Sequence, residues 1–261
     1  MKSIVSFDLD MTLLDHRIYK IPDSAMKAVE KLRDNHYIVL ATGRDMDNYY
    51  SRQFRDIVKA DAIIHNNGTR ITAGDKVIYE TCMSKELVER ILRFAEEEGL
   101  AVGVTMGDDD YYTHPEAVIA HDKRLWGESN RRYQDPWKLL EKNIRTLAYV
   151  GEPEGARKLE AAFGELKCPL FGGGKGADVL ERRNSKANGL RILCEYWGID
   201  IKDTYAFGDS MNDIEIIKAA GVGIAVGNAV DALKEAADYV TADINDDGIY
   251  RACIHFGLIE K

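Results

Sequence analysis

Two aspartates lie two residues apart near the start of the chain, in the segment Asp8-Leu9-Asp10-Met11-Thr12. The segment follows a short β-prone apolar run at residues 4–7, so both carboxylates come just past the end of a predicted strand. Side chains two residues apart in extended backbone point to the same side. The spacing therefore predicts a pair of acidic groups at one edge of a sheet.

Three other segments carry polar groups at comparable places. Gly208-Asp209-Ser210-Met211-Asn212-Asp213 follows a predicted strand and opens a helix, and Thr42-Gly43-Arg44 follows another strand. Lys186 lies where the chain returns from a central insert. Taken singly each signal is weak, because acidic turns, helix caps and surface lysines are common. Their joint order and placement is what favours a functional site.

Convergence of these segments on one rim of a sheet would crowd four carboxylates together. Ionised carboxylates cannot share a small space without compensation. The simplest compensation is a hard divalent cation with oxygen ligands, and Mg²⁺ beside a phosphoryl group is the usual occupant of such a site. The groups concerned are Asp8, Asp10, Asp209 and Asp213, with Lys186 and Arg44 as cations.

Alternating strands and helices must position these groups. This alternation predicts an α/β fold with a doubly wound, parallel, Rossmann-like sheet that binds ligands at the carboxyl ends of its strands. Strands are predicted at residues 4–7, 37–41, 62–65, 205–207, 222–226 and 239–241, and helices after Asp23 or Ser24 and at 213–220, 229–237 and 249–256.

The middle of the chain breaks this rhythm. We expect residues 1–81 and 185–261 to form the catalytic core and residues 82–184 to form an inserted α/β cap domain. The insert carries an amphipathic helix at 85–98 and a second helix near 155–166. Its acidic stretch Asp108-Asp109-Asp110 is predicted to be a solvated loop.

Composition restricts the classes of function. The 261 residues are 45% hydrophobic, enough for an ample core, and the four scattered cysteines predict neither a disulfide framework nor a zinc site. We expect no signal peptide, no membrane span and a reducing, cytoplasmic setting. A net charge of -9 argues against a nucleic-acid partner. A small phosphorylated metabolite needs only a few local cations or one metal ion.

In their order along the chain, the four segments resemble the motifs of the haloacid dehalogenase (HAD) superfamily. The insert's size and its position between the second and third motifs are similar to those of the Cof-type (class IIB) sugar phosphatases, as is the ending from Ala225-Val226-Gly227-Asn228 through Asp247-Gly248. The resemblance implies a Mg²⁺-dependent phosphatase that hydrolyses a sugar phosphate or similar metabolite through an aspartyl-phosphate intermediate. Two positions depart from the pattern, since Met11 and Ala187 stand where this family often has glycine.

The resemblance also implies a role for each residue. Asp8 would be the nucleophile, and Asp10 the acid and then the base. Mg²⁺ would be held by the Asp8 carboxylate, the Asp10 main-chain carbonyl and the Asp209 carboxylate. Asp213 would either bind the metal through a water molecule or support the residues that bind it. The groups expected to bind the phosphoryl oxygens or the substrate are Leu9, Thr42, Gly43, Arg44, Asn67, Lys186 and Asn212.

Two alternatives stay open. A phosphomutase would pass the acyl-phosphate to a sugar hydroxyl instead of water, and the motifs are compatible with that outcome. A receiver-like signalling module also combines acidic residues with a Thr and a Lys on a parallel sheet, but the large insert and Asp10 argue against it. In the cap domain, we expect substrate contacts from one or two of Tyr111, Tyr112, His114, His121, Arg182 and Arg183.

Overall fold

The structure, a computed structural model, describes residues 2–127, 131–171 and 173–260. The strands are β1 Ser3–Phe7, β2 His36–Ala41, β3 Ala62–His65, β4 Arg70–Ala73, β5 Lys76–Glu80, β6 Ala101–Met106, β7 Asp109–Tyr112, β8 Arg132–Gln134, β9 Leu147–Val150, β10 Leu166–Lys167, β11 Gly176–Glu181, β12 Thr204–Gly208, β13 Val222–Ala225 and β14 Tyr239–Val240. The helices are α1 Asp23–Leu32, α2 Tyr49–Val58, α3 Lys85–Glu98, α4 Pro115–Trp126, α5 Pro153–Ala162, α6 Lys186–Trp197, α7 Ile214–Ala219, α8 Asp231–Ala236 and α9 Gly248–His255.

The chain divides into two compact units. The first combines Met1–Glu80 with Asn184–Lys261, and the second is Thr81–Arg183. None of the described helices combines the length and the apolar character that a membrane crossing requires.

The sheet of the first unit is parallel through its centre. Its strand order is β14-β13-β12-β1-β2-β3-β4-β5, and β1 pairs with β12 and β2 so that Phe7 lies beside Phe207 and Leu40. Strands β4 and β5 are added antiparallel at one edge. The carboxyl ends of β1, β2, β3 and β12 therefore lie at the same edge, where ligands of such sheets bind.

Helices cover both faces of this sheet. Val5 and Phe7 of β1 pack on one face against α1, α2 and α9, whereas Ile4 packs on the other face among residues of α6, α7 and α8. Because both faces are buried, β1 and β2 are apolar along most of their length rather than alternating. The predicted α/β class with a doubly wound, Rossmann-like core is confirmed.

Several elements of the first unit differ from the sequence prediction. A 3₁₀ turn at Met211–Asp213 precedes α7, so this helix begins later than expected. The hairpin β4–β5 and the helices α2 and α6 were not predicted. Strand β5 is largely exposed, which removes the continuous apolar run by which β1 to β3 could be predicted.

The second unit is an α/β layer with a mostly antiparallel sheet. Its strand order is β10-β11-β9-β6-β7-β8, in which β7 and β8 are parallel. Helix α3 covers the predicted residues, since Ser84 accepts a hydrogen bond from the Leu87 amide at its start and Gly99 ends it in the left-handed conformation. Residues of α3 and α5 pack on one face of the sheet, and Val118 of α4 packs with Ala101 and Tyr112 on the other face.

The prediction of a solvated loop at Asp108-Asp109-Asp110 is wrong. Strand β7 begins at Asp109, and the buried Asp110 carboxylate accepts hydrogen bonds from Thr105 Oγ1 and Arg131 Nη1, each at 2.6 Å. Arg131 also donates to Asp122 of α4 at 2.5 Å. Burial of the charge is tolerated because it is paired, and a partner 21 residues away is not visible in a local charge pattern.

Gly68 lets the loop after β3 approach the start of α6. Its φ of +91° lies in the left-handed region, and a Cβ at this position would lie 2.1 Å from the carbonyl oxygen of Ser185. Ser185 caps α6 by accepting a hydrogen bond from the Asn188 amide at 3.0 Å. Since α6 begins at Lys186, this close approach fixes where the lysine enters the first unit.

Gly68→Ala should destabilise the protein by about 2–4 kcal/mol, because the new Cβ adds an overlap with backbone to the strain of a left-handed conformation. Gly74→Ala is the matched control, since Gly74 also has a positive φ of +56° but no atom within 4 Å of the added Cβ. It should cost roughly 1 kcal/mol. Urea unfolding of both variants measures the difference, and equal losses would contradict the close approach.

Candidate active site

Three buried carboxylates meet at the carboxyl edge of the parallel sheet. Asp8 directly follows β1, and its amide donates to the carbonyl of Phe207 at 3.0 Å, while Asp209 directly follows the neighbouring β12. Asp213 lies on the same loop as Asp209. One carboxylate oxygen from each of Asp8, Asp209 and Asp213 lies within 4.8 Å of the other two. The sheet order therefore brings together acids that are some two hundred residues apart in the chain.

Lys186 lies among these carboxylates. Its Nζ donates to Asp8 Oδ1 and to Asp213 Oδ1, each at 2.6 Å, and the side chain is completely buried. Burial by itself lowers the pKa of Lys186, but the charges of Asp213 and Asp8 outweigh it and leave the pKa raised. The ammonium therefore stays charged and balances one of the three carboxylates.

The net negative charge of this cluster is one that a divalent cation would balance. When all three carboxylates are ionised, they and one ammonium leave two negative charges in a buried space. Burial raises the pKa of both Asp8 and Asp209, and repulsion from the neighbouring carboxylates adds to it despite the attraction of Lys186. A cation placed beside these carboxylates would lower their pKa values, because a positive charge favours the ionised form. The all-oxygen donor set fits a hard divalent ion.

Asp213 organises the loop that carries Asp209. Its Oδ2 accepts hydrogen bonds from the amides of Asp209 and Ser210, both at 3.1 Å, while its Oδ1 is bonded to Lys186. Gly208 makes this possible, because a Cβ there would lie 2.6 Å from Asp213 Cβ. Both oxygens of Asp213 thus have partners within the protein, which suits a residue that supports the ligands rather than one that faces the metal directly.

The Asp10 carboxylate has different hydrogen-bond partners from the Asp8 carboxylate. Arg44 donates to it in a bidentate pair, from Nε to Oδ2 at 2.8 Å and from Nη2 to Oδ1 at 2.5 Å, and His16 Nε2 lies 2.6 Å from Oδ1. Burial raises the pKa of Asp10, but the hydrogen bond from His16 and the charge of Arg44 outweigh it and lower the pKa to about 2. Both partners therefore stabilise the ionised form of Asp10.

The loop after β2 is fixed to its neighbours by backbone hydrogen bonds. The Thr42 amide donates to Ile64 O at 2.9 Å, and the Asn67 amide donates to Thr42 O at 3.0 Å. Asn212 Nδ2 in turn donates to Asn67 Oδ1 at 3.1 Å. These bonds connect the segments after β2, β3 and β12 into one rim around Asp8.

The sequence of this chain matches the family model of haloacid dehalogenase-like hydrolases over residues 5–253. The chain belongs to this family. The family predicted from the four motifs is therefore confirmed, and the match spans both units of this HAD hydrolase.

Similar proteins agree with this assignment. The chain is 31% identical over 98% of its length to YkrA of Bacillus subtilis strain 168, which is provisionally named a phosphatase, and covers 98% of that protein. It is 24% identical to YitU of the same organism, a 5-amino-6-(5-phospho-D-ribitylamino)uracil phosphatase, with 95% of each chain covered.

Solved structures show the same likeness. BT1666 of Bacteroides thetaiotaomicron, a HAD phosphatase, is 27% identical with a TM-score of 0.91, covering 99% of this chain and 96% of its own. BT4131, described as a HAD subclass IIB sugar phosphatase, is also 27% identical with a TM-score of 0.86, covering 99% and 100%. The HAD hydrolase described here is thus a hydrolase of phosphoric monoesters.

Two residues near the site were given no role from the sequence, although Thr12 lies in the segment that carries Asp8 and Asp10. His16 contacts Asp10, and Thr12 Oγ1 donates to Asp209 Oδ1 at 3.2 Å. Thr12 could have been found from its place two residues after Asp10. His16 could not, because its approach depends on the compact turn in which the Met11 amide donates to Leu14 O at 2.8 Å. Met11 has a φ of +58° in this turn, a conformation that favours glycine.

The candidates in the second unit have partners within that unit. Tyr111 and Tyr112 are buried and pack on opposite faces of its sheet. Arg182 donates to Gly164 O at 2.9 Å, Arg183 donates to Glu181 at 2.8 Å, and His121 Nδ1 lies 3.5 Å from Asp122. His114 precedes α4 and pairs with Glu116. Substrate contacts from this unit stay a prediction.

Mg²⁺ should stabilise this HAD hydrolase more at about pH 8 than at about pH 6. The pKa values of Asp8 and Asp209 are raised in the folded state, so without metal their contribution to stability is present at acidic pH and is lost as pH rises through the raised values. A bound cation removes the repulsion that appears when both acids ionise. Melting temperatures with Mg²⁺ and with a chelator, compared at both pH values, measure this effect.

Asp209→Asn is the variant that locates the effect. It should lose most of the melting-temperature gain from Mg²⁺, whereas Asp56→Asn, at an exposed position on α2, should keep the gain. A gain that is equal at the two pH values, or one that Asp209→Asn retains, would contradict a metal site among these carboxylates.

Proposed function

We propose that this HAD hydrolase is a Mg²⁺-dependent phosphatase that hydrolyses a small phosphate monoester through an aspartyl-phosphate on Asp8. One observation carries the proposal. The Asp8 carboxylate is held at 2.6 Å by a completely buried lysine, within 4.8 Å of carboxylate oxygens of Asp209 and Asp213. An acid so placed is fixed in orientation and lies beside a cation and a candidate metal site, as a carboxylate nucleophile requires.

The carboxylate cluster supports the metal dependence in this proposal. The ligands we propose are the Asp8 and Asp209 carboxylates and the Asp10 main-chain carbonyl, with Asp213 supporting them from its bonds to Lys186 and to the loop amides. When bound, Mg²⁺ would neutralise the negative charge that otherwise opposes the approach of a phosphate to carboxylates.

Asp8 would attack phosphorus in line, form the acyl-phosphate and release the leaving oxygen. Asp10 would have to carry a proton when the leaving oxygen departs, so the bonds by which Arg44 and His16 favour its ionised form would have to weaken once substrate is bound. It would give this proton to the leaving oxygen and then take one from the water that attacks the acyl-phosphate, which restores the protonated form for the next turnover. Water adds to phosphorus, the bond from phosphorus to Asp8 breaks, and inorganic phosphate leaves.

The rim around Asp8 would hold the phosphoryl oxygens. We assign this role to the Leu9 and Gly43 amides, the Thr42 hydroxyl, Lys186 and Asn212, with Arg44 and Asn67 close by. Backbone bonds fix Thr42 and Asn67 to neighbouring strands before any ligand arrives, so these donors need little reorganisation during the reaction. Lys186 is held in the same way by its two carboxylate partners.

The substrate we propose is a phosphorylated sugar. The proposal is supported by the likeness to BT4131, described as a sugar phosphatase, whose whole length this chain covers. The likeness to YitU makes a phosphoribityl aminopyrimidine the competing substrate class. Both are small phosphate monoesters of an alkyl alcohol, so both leaving groups need a proton from Asp10.

Asp8→Asn should abolish turnover, because an amide oxygen is a poor nucleophile, and Asp10→Asn should lower kcat by about 10²–10⁴-fold. Mg²⁺ binding should survive in Asp10→Asn, since the main-chain carbonyl is unchanged. Asp56→Asn serves again as the control with normal activity. Phosphate release and Mg²⁺ titration of the purified variants check these outcomes, and an active Asp8→Asn enzyme would contradict the nucleophile assignment.

A screen of phosphate esters with and without Mg²⁺ should find metal-dependent phosphate release with the highest kcat/KM for a phosphosugar. The panel includes hexose and pentose phosphates, a phosphoribityl aminopyrimidine and p-nitrophenyl phosphate, with Asp8→Asn as the blank. Conversion of a phosphosugar to its isomer without phosphate release would instead identify a mutase. No metal-dependent reaction across the panel would refute the proposed function.

A further inference from the structure

Asn228 lies in the loop between β13 and α8 and joins two backbone segments through its side-chain amide. Its Nδ2 donates to Met11 O at 2.7 Å, and its Oδ1 accepts from the Ile244 amide at 3.0 Å. One partner can only accept and the other can only donate, so the chemistry of the two bonds determines which way the amide is oriented. The side chain therefore holds the Met11 carbonyl in one direction.

The same loop is bonded to the backbone that carries Asp209. The Val230 amide donates to Asp209 O at 2.8 Å, and the Val226 amide donates to the carbonyl of the residue before Asp209 at 3.1 Å. Asn228 lies between these two amides in the chain, so its side chain extends from a segment that is fixed to the end of β12. The bond from Asn228 therefore links the Met11 turn to the backbone of Asp209.

The Met11 turn is strained and needs such a link. Met11 has a φ of +58°, in the left-handed region that glycine adopts more easily, and strained backbone persists only where its surroundings hold it. The peptide plane before Met11 is held because the Met11 amide donates to Leu14 O at 2.8 Å. The plane after Met11 is held by Asn228. Loss of the Asn228 bond would let Met11 relax, and the two planes would turn relative to each other.

The plane before Met11 contains the Asp10 carbonyl. In a trans peptide the carbonyl points away from the following amide, so the bond of the Met11 amide fixes the direction of Asp10 O. This carbonyl accepts no hydrogen bond from the residues that the structure describes, whereas the carbonyls on either side of it are both occupied. Thr12, which follows Met11, donates from its hydroxyl to Asp209 Oδ1 at 3.2 Å. A change at Met11 therefore affects both the Asp10 carbonyl and a bond to the Asp209 carboxylate.

We propose that Asn228 is a positioning residue for the metal site: it holds the Met11 turn in the conformation in which the Asp10 carbonyl and the Asp209 carboxylate bind the same Mg²⁺ ion. This inference rests on the proposed function, which assigns both groups as metal ligands. Asn228 bonds neither of these two groups, so its effect on the metal passes through the backbone of Met11. Removal of a residue that orients metal ligands typically lowers metal affinity by about 10–100-fold.

Asn228→Ala should raise the Mg²⁺ dissociation constant about 10-fold, as measured by titration calorimetry of the purified, metal-free protein. Thr204→Val is the matched control. The Thr204 hydroxyl also bonds one backbone carbonyl, at 2.6 Å, and accepts from one backbone amide, at 3.2 Å, but it lies at the opposite end of β12. This control should lower the free energy of unfolding in urea, as Asn228→Ala does, and should bind Mg²⁺ as wild type does.

Asn228→Asp separates positioning from the effect of charge. The new carboxylate can still accept from the Ile244 amide, but it has no donor for Met11 O. Charge alone predicts tighter Mg²⁺ binding, because an added negative charge attracts a cation, whereas loss of the turn predicts binding about 10-fold weaker. Asn35→Asp makes the same change at an exposed position and should bind Mg²⁺ as wild type does.

Unchanged Mg²⁺ binding in both Asn228 variants, tighter binding in Asn228→Asp, or equal weakening in Thr204→Val would overturn the inference. Melting curves confirm that each variant is folded, and Asn228→Asp, which keeps the bond to Ile244, decides if Asn228→Ala does not fold. Failure of the proposed function looks different: wild-type protein then binds no Mg²⁺, and the inference falls with it. Wild-type binding of Mg²⁺ with unaffected Asn228 variants removes the positioning role alone and leaves the proposed phosphatase intact.

Discussion

The contact between buried Lys186 and two carboxylates is the interaction on which the site depends. Three carboxylates in a buried space repel one another, and without the ammonium at 2.6 Å from Asp8 and Asp213 their burial would be too costly to persist. The lysine offsets only one charge of three. The first unit therefore holds a buried cluster that has the remaining negative charge and the oxygen ligands that a divalent cation requires.

The sheet explains how distant residues reach this cluster. Because β12 pairs with β1 in parallel, Asp8 and Asp209 each follow the last residue of adjacent strands, and Asp213 reaches back across the glycine at 208 to bond the loop amides. Lys186 arrives from the start of α6, which Gly68 allows to lie against the loop after β3. Two glycines thus set the spacing of the charged groups, although neither carries a functional side chain.

The sequence predicted those parts of the site that depend on strand ends, and could not predict those that depend on side-chain direction. Asp8, Asp209 and Thr42 each follow an apolar run, so their common edge could be inferred from the alternation of strands and helices. The sequence placed Arg44 among the cations of the site but could not predict that it forms a fork with Asp10 in particular, because a Thr-Gly-Arg segment does not reveal which way its arginine turns. Asp110 shows the same limit, since its partner Arg131 lies in another segment.

Asp8 and Asp10 illustrate why two acids only two residues apart can have opposite properties. Asp8 shares its lysine with Asp213 and is buried among carboxylates, so its pKa is raised, whereas Asp10 faces Arg44 and His16, so its pKa is lowered. The turn at Met11 separates the two environments, because it directs the chain after Asp10 back towards Leu14 and brings His16 to the far side of the Asp10 carboxylate. Asn228 Nδ2 holds this turn by donating to Met11 O at 2.7 Å, which links the geometry of Asp10 to the carboxyl-terminal part of the sheet.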